Sequence, residues 1–476
     1  MSASSNASTQ FPVAPHPQPT PSLGAPRRVL GLADASCVVI GAIIGVGIFF
    51  NPSRIASLTG DPTLALTSWL IGGFIALCGA LVFAELGGRY HNSGAQYDIL
   101  RDCFGPLPAF LFVFCNATGT QACAIGIISL ICAQHLVAAI GLTPVTGWRL
   151  VTIAACLISL LALANIAGVK WGSRIQNFTV ACKVFTLLAI TAVAALLAKA
   201  PPDSAPVAAT LESTRPLAGV VAGLVPALFA YGGWQQALWI SGEVKHPHRN
   251  VPRAIILGVL VVVAAYMLVN WGYLRLLGIQ GVADSKVLAA DAVATVYPRF
   301  GARVVALAVA ISAFGVLNSQ LLSGPRLIFG MARDGRFFAT FARLSPRFGT
   351  PAGAILLLAV PAILLIAVAG QGGIDYLLNG AVFIDCVFFI LTGASIFVLR
   401  RRHAGDTPPP GSERRFRMPL FPLVPILFIL GQLGAVVGSV LDPAVRSASY
   451  IGALWILVGV IVFAWRFRLA AVPHAA

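Results

Sequence analysis

The stretch Gly41-Ala-Ile-Ile-Gly-Val-Gly-Ile-Phe49 lies in the middle of the first long apolar segment and carries three glycines in seven residues. Each glycine costs a helix roughly 1 kcal/mol relative to alanine, so the stretch predicts a helix that opens here. In a bilayer an opened backbone finds no water, and it is tolerated where protein encloses it around a cavity that can hold a ligand. The alternative is that Gly41-x-x-x-Gly45 forms a groove for a neighbouring helix.

The composition assigns the class of protein. Of the 476 residues 58% are apolar and 10% are charged, whereas soluble proteins carry about 25% charged residues. The chain is therefore predicted to be an all-α polytopic membrane protein. Its nine cysteines lie mostly in apolar runs and make neither a disulfide framework nor metal-ligand spacing. Neither a nucleophile–base pair nor a phosphate-binding loop is recognised, so we expect no enzyme and no cofactor or metal.

Apolar runs of about 20 residues predict twelve transmembrane helices. We number them spans 1 to 12, near residues 33–58, 63–87, 108–138, 149–168, 174–198, 217–241, 252–276, 302–331, 352–370, 375–399, 419–440 and 447–465. Residues 1–27 are polar and Pro/Ser-rich, so they predict a disordered tail without a cleavable signal peptide, followed by a transporter domain at 28–468 and a short tail at 469–476.

Lysine and arginine predict the orientation. With both termini on one side, 21 of the 32 basic residues fall on that side, 9 on the other and two, Lys183 and Arg326, within spans. This bias places both termini in the cytoplasm and the chain in the cell (inner) membrane. The net charge of +16 is thus a topology signal, and no nucleic acid partner is expected.

A second interruption is predicted in span 6, where Phe229-Ala-Tyr-Gly-Gly-Trp234 places two adjacent glycines among aromatic residues. Broken helices at spans 1 and 6 are expected for a five-plus-five inverted repeat, with the binding site at the repeat interface near the midplane. We therefore favour a substrate site over the packing groove. The first repeat would cover 33–198 and the second 217–399, with helices 11 and 12 in 419–465.

The motifs resemble those of the amino acid–polyamine–organocation (APC) superfamily, and most of all the bacterial relatives of the L-type amino acid transporters. The similarity covers roughly residues 28–468. It depends on the two glycine motifs above and on four further stretches, which are Ala84-Glu-Leu-Gly…Ser93-Gly-Ala-Gln-Tyr97, Val169-Lys-Trp-Gly-Ser…Lys183, Ser241-Gly-Glu-Val-Lys-His-Pro…Arg249-Asn-Val-Pro-Arg-Ala254 and Met331-Ala-Arg-Asp-Gly335…Gly349-Thr-Pro351. The resemblance implies a leucine-transporter-like fold with broken helices 1 and 6.

The same resemblance implies where an amino acid would bind. Its α-carboxylate would meet backbone amides of the first break, at Gly45, Val46 and Gly47. Its α-ammonium would meet carbonyl groups at both breaks, at Ile43, Phe229, Ala230 and Gly232. Half-helix ends supply such unpaired donors and acceptors. Phe229 would cover the ligand, and Trp234 would shape the side-chain pocket.

The chain departs from its relatives in three places. Val46 replaces a serine or threonine, so one hydroxyl contact to the carboxylate is missing. Asp385 stands inside span 10, where relatives carry an apolar residue or asparagine. The loop 138–147 lacks the cysteine that tethers animal L-type members to a heavy subunit, so no disulfide-linked heavy subunit is expected.

Ionisable residues inside spans are costly and need partners. The resemblance places Lys183 beside the first break, where sodium-coupled relatives keep an ion; it is either a proton carrier or a permanently charged pin for the carbonyl groups there. Asp385 could pair a cationic substrate group, carry a proton or neutralise a base across the bundle. Glu85, Glu243 and Asp334 lie at helix ends, where salt bridges are expected.

The sequence therefore predicts a secondary transporter that moves neutral amino acids by alternating access, through sodium-independent exchange or proton-coupled uptake. Its partners would be an amino acid, the lipid bilayer and protons. One alternative is a polyamine or cationic amino acid antiporter with Asp385 as counter-ion. Another is a transport-dead amino acid sensor.

Overall fold

A computed structural model describes residues 26–142, 145–198, 216–298, 301–402, 415–441 and 446–468, with the backbone alone for 216, 369–381, 467 and 468. Of the predicted tails at 1–27 and 469–476, residues 1–25 and 469–476 lie outside the described residues. The described chain is helical, with one isolated backbone bridge between Leu30 and Val244.

Nine described helices are long and apolar enough to cross a membrane, and three shorter apolar helices, Leu32–Ile43, Leu217–Ala230 and Ala352–Val368, belong to spans 1, 6 and 9. Together they account for the twelve predicted spans. Five spans are single helices, at Pro62–Gly87, Trp148–Ile166, Val169–Leu197, Leu423–Leu441 and Arg446–Arg468.

Spans 1 and 6 are broken near their middle, as predicted. Span 1 consists of helix 1a (Leu32–Ile43), a 3-10 turn (Gly47–Phe49) and helix 1b (Asn51–Thr59). Span 6 consists of helix 6a (Pro216–Ala230), helix 6b (Gln236–Trp239) and a 3-10 turn (Ser241–Glu243).

Three further spans are irregular in ways that the apolar pattern does not reveal. Span 3 runs through Pro106–Cys115 and Gln121–Ala139, joined by a π-helical turn at Asn116–Thr120. Span 7, Pro247–Asp284, has non-helical backbone at Gly278. Span 8 comprises Gly301–Ser323 and Pro325–Arg333. Short helices at Ala95–Phe104, Leu288–Ala294 and Ala339–Ala342 connect spans.

Spans 9 and 10 lie in one stretch of helical backbone, Ala352–Arg402. Near its start, Thr350 donates to the carbonyl group of Ile166, at the end of span 4. At its end, Arg400 pairs with Glu85, at the end of span 2. The ends of spans 2 and 4 both lie on the side of the molecule that carries Leu30. Because the two ends lie on the same side of the molecule, the segment comprises two antiparallel spans, Ala352–Val368 and Val382–Arg402.

The packing of the helices is nearly symmetric between the two repeats. Span 1 packs on span 6, span 2 on span 7, and span 3 on span 8. Span 1 also contacts span 7, and span 6 contacts span 2 in the equivalent way. Each pair unites the members that a five-plus-five repeat would exchange, so the two broken helices meet at the centre of the molecule.

We call the end of the molecule that carries Leu30 and Arg400 the inner end, and the opposite one the outer end. At the outer end, helix 1b stops at Gly60 in the left-handed region (φ 64°), and the Asp61 carboxylate accepts from the Leu64 amide at 2.9 Å to cap span 2.

Candidate functional site

A cavity of about 250 Å³ lies between the broken spans and spans 3, 8, 10 and 11. Nine of the ten residues predicted for the site line it: Ile43, Gly45, Val46, Gly47, Phe229, Ala230, Gly232, Trp234 and Asp385. The tenth, Lys183, lies behind the first break. Their roles toward a ligand remain predictions.

The first glycine motif was interpreted either as a packing groove or as an opened segment, and each interpretation holds for one of its glycines. A Cβ at Gly41 would lie 1.9 Å from the Gln176 amide nitrogen, so Gly41 allows helix 1a to pack closely against span 5. At Gly45 the backbone has left the helix and borders the cavity. The motif is therefore a packing contact at its start and an opened segment at its end.

The unpaired donors of the first break begin one residue later than predicted. The Gly45 amide donates to the Ile43 carbonyl at 2.7 Å, which leaves it unavailable for a carboxylate in this geometry. The amides of Val46, Gly47 and Ile48 start the 3-10 turn, and the described residues provide them with no backbone acceptor.

The second break depends on Gly233 rather than on Gly232. Gly233 has φ 130°, and a Cβ there would lie 2.8 Å from the Ala42 carbonyl carbon and 3.0 Å from the Ile43 nitrogen. A Cβ at Gly232 would come no closer than 3.4 Å to any atom outside its immediate neighbours. The backbones of the two breaks are thus in direct contact at Gly233, a position that only glycine fits.

Tyr266 of span 7 connects the ends of helices 1a and 6a. Its hydroxyl lies 3.0 Å from the Ile43 carbonyl oxygen and 3.4 Å from the Ala230 carbonyl oxygen, and the side chain is fully buried. Since the Gly45 amide also donates to Ile43, both lone pairs of that carbonyl oxygen are occupied. An ammonium bound at Ile43, as the resemblance implies, would have to replace one of these bonds.

Lys183 places its ammonium against the opened backbone of span 1. Its Nζ donates to the Gly41 carbonyl at 2.9 Å and to the Ile44 carbonyl at 2.6 Å, and 3% of the side chain is exposed. Among the described residues it forms no ion pair with a carboxylate. The charge is therefore held by carbonyl dipoles at the C-terminal end of helix 1a, where a cation is favoured.

Aromatic side chains form the floor of the cavity toward the inner end. Trp234 stacks on Phe389 with ring centroids 5.6 Å apart, and Phe83 and Phe428 meet it edge to face. Phe229 lies on the other side of the break and is 43% exposed. The lining continues from this floor to Ser439 in the outer half of span 11, so the cavity extends toward the outer end.

Part of the cavity lining is polar, and we call its residues Thr120, Gln121, Gln235 and Asp385 the polar wall. Asp385 is the one charged residue among the described residues that line the cavity. Thr120, the last residue of the π-helical turn in span 3, and Gln121, the residue after it, also line the cavity. Gln235 joins them from the second break.

The inner end is closed by the backbone before helix 1a. The amides of Val29 and Leu30 donate to the Glu243 carbonyl at 2.8 and 2.9 Å, and the Lys245 amide donates to Leu30 at 2.8 Å. The Glu243 carboxylate pairs with Arg326 at 3.1 Å, and both side chains are 1% exposed.

A second group of charges lies beside this closure and involves Asp334. Tyr97 donates to it at 2.7 Å and Arg101 at 2.8 Å, and Arg336 lies 3.3 Å away. Burial raises the pKa of the Tyr97 phenol, so it stays protonated and acts as the donor. Glu85 pairs with Arg89 and Arg400. The salt bridges expected for Glu85, Glu243 and Asp334 are therefore confirmed.

Sequence reasoning missed Tyr266, Thr120, Gln121 and Gln235. It predicted the break from both glycines of the motif but did not distinguish the role of Gly233 from that of Gly232. Tyr266 carried a weaker signal, as a tyrosine in the middle of an apolar span needs a partner for its hydroxyl. The three polar residues depend on the π-helical turn and on the path of the break, which the apolar pattern does not specify.

Comparison with known proteins agrees with this architecture. The profile of the family described as "Amino acid permease" matches residues 30–465. The serine/threonine exchanger SteT of Bacillus subtilis (strain 168) is 30% identical over 441 residues, which are 91% of this chain and 94% of that protein. The b(0,+)-type amino acid transporter 1 of Mus musculus is 30% identical over 447 residues, 92% of this chain and 87% of the relative.

A third relative bears on partners. The human large neutral amino acids transporter small subunit 2 is 30% identical over 412 residues, 84% of this chain and 74% of that protein. Its name makes it one subunit of an assembly, which conflicts with our expectation of no heavy subunit. The missing cysteine in the loop 138–147 bears only on a disulfide tether at that loop.

The match to the family profile covers nearly the whole chain, and the broken spans 1 and 6 around a central cavity agree with it. The chain belongs to the amino acid permease family of the APC superfamily.

Proposed function

We propose that this protein transports neutral amino acids by alternating access, with spans 1 and 6 moving against the other helices. The observation that carries the proposal is the meeting of two opened helices at one cavity, with free amides at Val46, Gly47 and Ile48 and the carbonyl groups of Ile43 and Ala230 close by. An amino acid carries one carboxylate and one ammonium group. The two breaks offer the complementary donors and acceptors without any charged side chain.

The bound pose follows from these groups. The α-carboxylate would accept from the amides of Val46 and Gly47, and the α-ammonium would donate to the Ala230 and Phe229 carbonyl groups. Binding at Ile43 would displace the Tyr266 hydroxyl. The side chain would extend between Trp234 and the polar wall.

The contacts of Lys183 support the role of a structural pin. Its two hydrogen bonds hold the carbonyl groups that the break leaves open, and the family resemblance implies that sodium-coupled relatives keep an ion beside this break. We therefore expect sodium-independent exchange, with proton-coupled uptake as the competing mode.

The orientation proposed here places the inner end in the cytoplasm of a cell (inner) membrane. The basic residues at the inner end support it. In this orientation the described conformation is closed toward the cytoplasm, and the cavity extends toward the outside.

Counterflow into proteoliposomes tests the proposal. Vesicles loaded with unlabelled serine, alanine, leucine or glutamine should take up the labelled amino acid in the absence of sodium. Loading with putrescine or ornithine tests the antiporter alternative. Binding without flux for every amino acid would instead indicate a sensor.

The mode of transport is determined with an imposed pH gradient and with Lys183→Met, which keeps most of the length of the side chain and removes its charge. For a pin, uptake by the parent should ignore the gradient, and Lys183→Met should lose transport at every pH. Uptake that follows the gradient in the parent and loses this dependence in the variant would make Lys183 a proton carrier.

A further inference from the structure

The polar wall of the cavity contains side-chain oxygens without hydrogen-bond partners, and one of its residues is a carboxylate. Asp385 is partly accessible from the cavity and has no hydrogen bond or ion pair with any described residue. No lysine, arginine or histidine of the described chain lines this cavity. A carboxylate in a bilayer-spanning segment is costly unless a donor or a cation compensates it.

Three further acceptor oxygens lie in side chains of the same lining. Thr120 Oγ1, Gln121 Oε1 and Gln235 Oε1 are buried without a hydrogen-bond partner, in residues that are 7%, 2% and 7% exposed. Buried polar atoms in folded proteins nearly always have partners, so each of these requires an explanation. The same lining contains the buried donor Trp234 Nε1, which also has no partner, and the Thr120 hydroxyl can donate as well as accept.

We propose that this wall, centred on Asp385 with Thr120, Gln121 and Gln235, selects amino acids whose side chain carries an O–H or N–H donor. The proposal deepens the proposed function, on which it rests, by naming the substrate class. A hydroxyl, a carboxamide or an ammonium would each supply a donor to the Asp385 carboxylate, which can only accept. A carboxamide or a hydroxyl can also accept from Trp234 Nε1.

The apolar part of the lining limits the substrate to one polar group at the end of a short aliphatic chain. Ala124, Ile127 and Ile128 of span 3 and Leu228 of helix 6a line the cavity beside the polar residues. An aliphatic side chain would fill this space but leave the acceptors unpaired. Sites built to bond a substrate donor discriminate strongly against analogues that lack it.

The test compares amino acids of equal size as competitors of counterflow by the parent protein. Glutamine should compete at least ~10-fold better than methionine, and asparagine at least ~10-fold better than leucine, because one unmade hydrogen bond to a charged group costs about that much affinity. Equal competition within each pair would overturn the inference. Absence of counterflow with every amino acid would instead overturn the proposed function.

Variants then show whether the donor on the substrate side chain is a cation or a neutral group. Asp385→Asn keeps an acceptor oxygen but removes the charge, so competition by lysine over norleucine should fall ~100-fold if the donor is a cation. If the donor is a neutral hydroxyl or carboxamide, Asp385→Asn should keep the preference for glutamine over methionine within a few-fold of that of the parent. The double variant Thr120→Val with Gln121→Met should abolish this preference. Retention of the glutamine preference in all of these variants would contradict the assignment of the wall.

Asp61→Asn is the matched control. It also removes one carboxylate, but asparagine caps a helix as well as aspartate does, and Asp61 lies outside the cavity. Its substrate preference should equal that of the parent. If Asp385→Asn does not fold, the pairs of amino acids on the parent protein alone still decide the inference.

Discussion

The Tyr266 hydroxyl has a single hydrogen and two carbonyl oxygens within reach, one at the end of each broken half-helix. It therefore couples helix 1a to helix 6a at the point where the proposed ammonium group would bind. Of the two contacts, the one to Ile43 is the shorter, so the hydroxyl occupies that oxygen and leaves the Ala230 carbonyl group more available to the substrate.

Tyr266→Phe should weaken substrate affinity by ~2- to 10-fold, as expected for the loss of one hydrogen bond of about 0.5–1.5 kcal/mol that orders the site. Tyr273→Phe is the control, because the Tyr273 hydroxyl lies in the same span and is buried without a partner. Removal of that hydroxyl should leave affinity unchanged and stability equal or higher. The substrate concentration that half-saturates exchange reports the affinity, and thermal unfolding in detergent reports the stability. Equal affinities of the two variants would contradict the role of Tyr266.

At the scale of helices, the site is organised by the contact between the two breaks at Gly233. The glycine motifs could be predicted from the sequence because the cost of glycine in a helix is a local property. Which glycine touches the other break could not, since that depends on how helices 1a and 6a meet. The same limit explains why the sequence pointed to Gly45 as a free amide, whereas a bond to Ile43 closes it.

Gly233→Ala should abolish exchange and lower thermal stability. Its backbone is in the region that L residues avoid, which costs of order 1–3 kcal/mol, and its Cβ would lie 2.8 Å from the Ala42 carbonyl carbon. Gly232→Ala is the matched control, since a Cβ fits there, and it should retain most of its exchange activity. If Gly233→Ala transported as well as Gly232→Ala, the described contact between the breaks would be wrong.

At the scale of the whole molecule, the inner end is closed by Glu243, which pairs with Arg326 through its side chain and with Val29 and Leu30 through its carbonyl group. Alternating access requires this closure to open. The apolar runs and basic residues predicted twelve spans and an orientation, because both signals extend over whole segments. They could not predict the closure, because Glu243 lies 83 residues from Arg326 and more than 200 residues from Val29 and Leu30 along the chain.

Glu243→Gln should destabilise the described conformation by ~3–5 kcal/mol, because it leaves the Arg326 charge buried without its partner. A cysteine at position 93, where Ser93 is 1% exposed beside Gly242, should then be alkylated faster from the inner side. The double variant Glu243→Gln with Arg326→Met removes both charges and should recover part of the protection. Protection of position 93 that is the same in all three backgrounds would show that the pair does not hold the inner end closed.

The contact at Gly233 has a consequence for how this protein can evolve. A Cβ at that position would collide with carbonyl and amide atoms, which every residue type possesses, rather than with the side chains of Ala42 or Ile43. No compensating substitution across the contact can therefore make room for a larger residue at 233. A saturation mutagenesis library of positions 42, 43 and 233 selected for exchange should therefore accept only glycine at 233, whichever residues stand at 42 and 43.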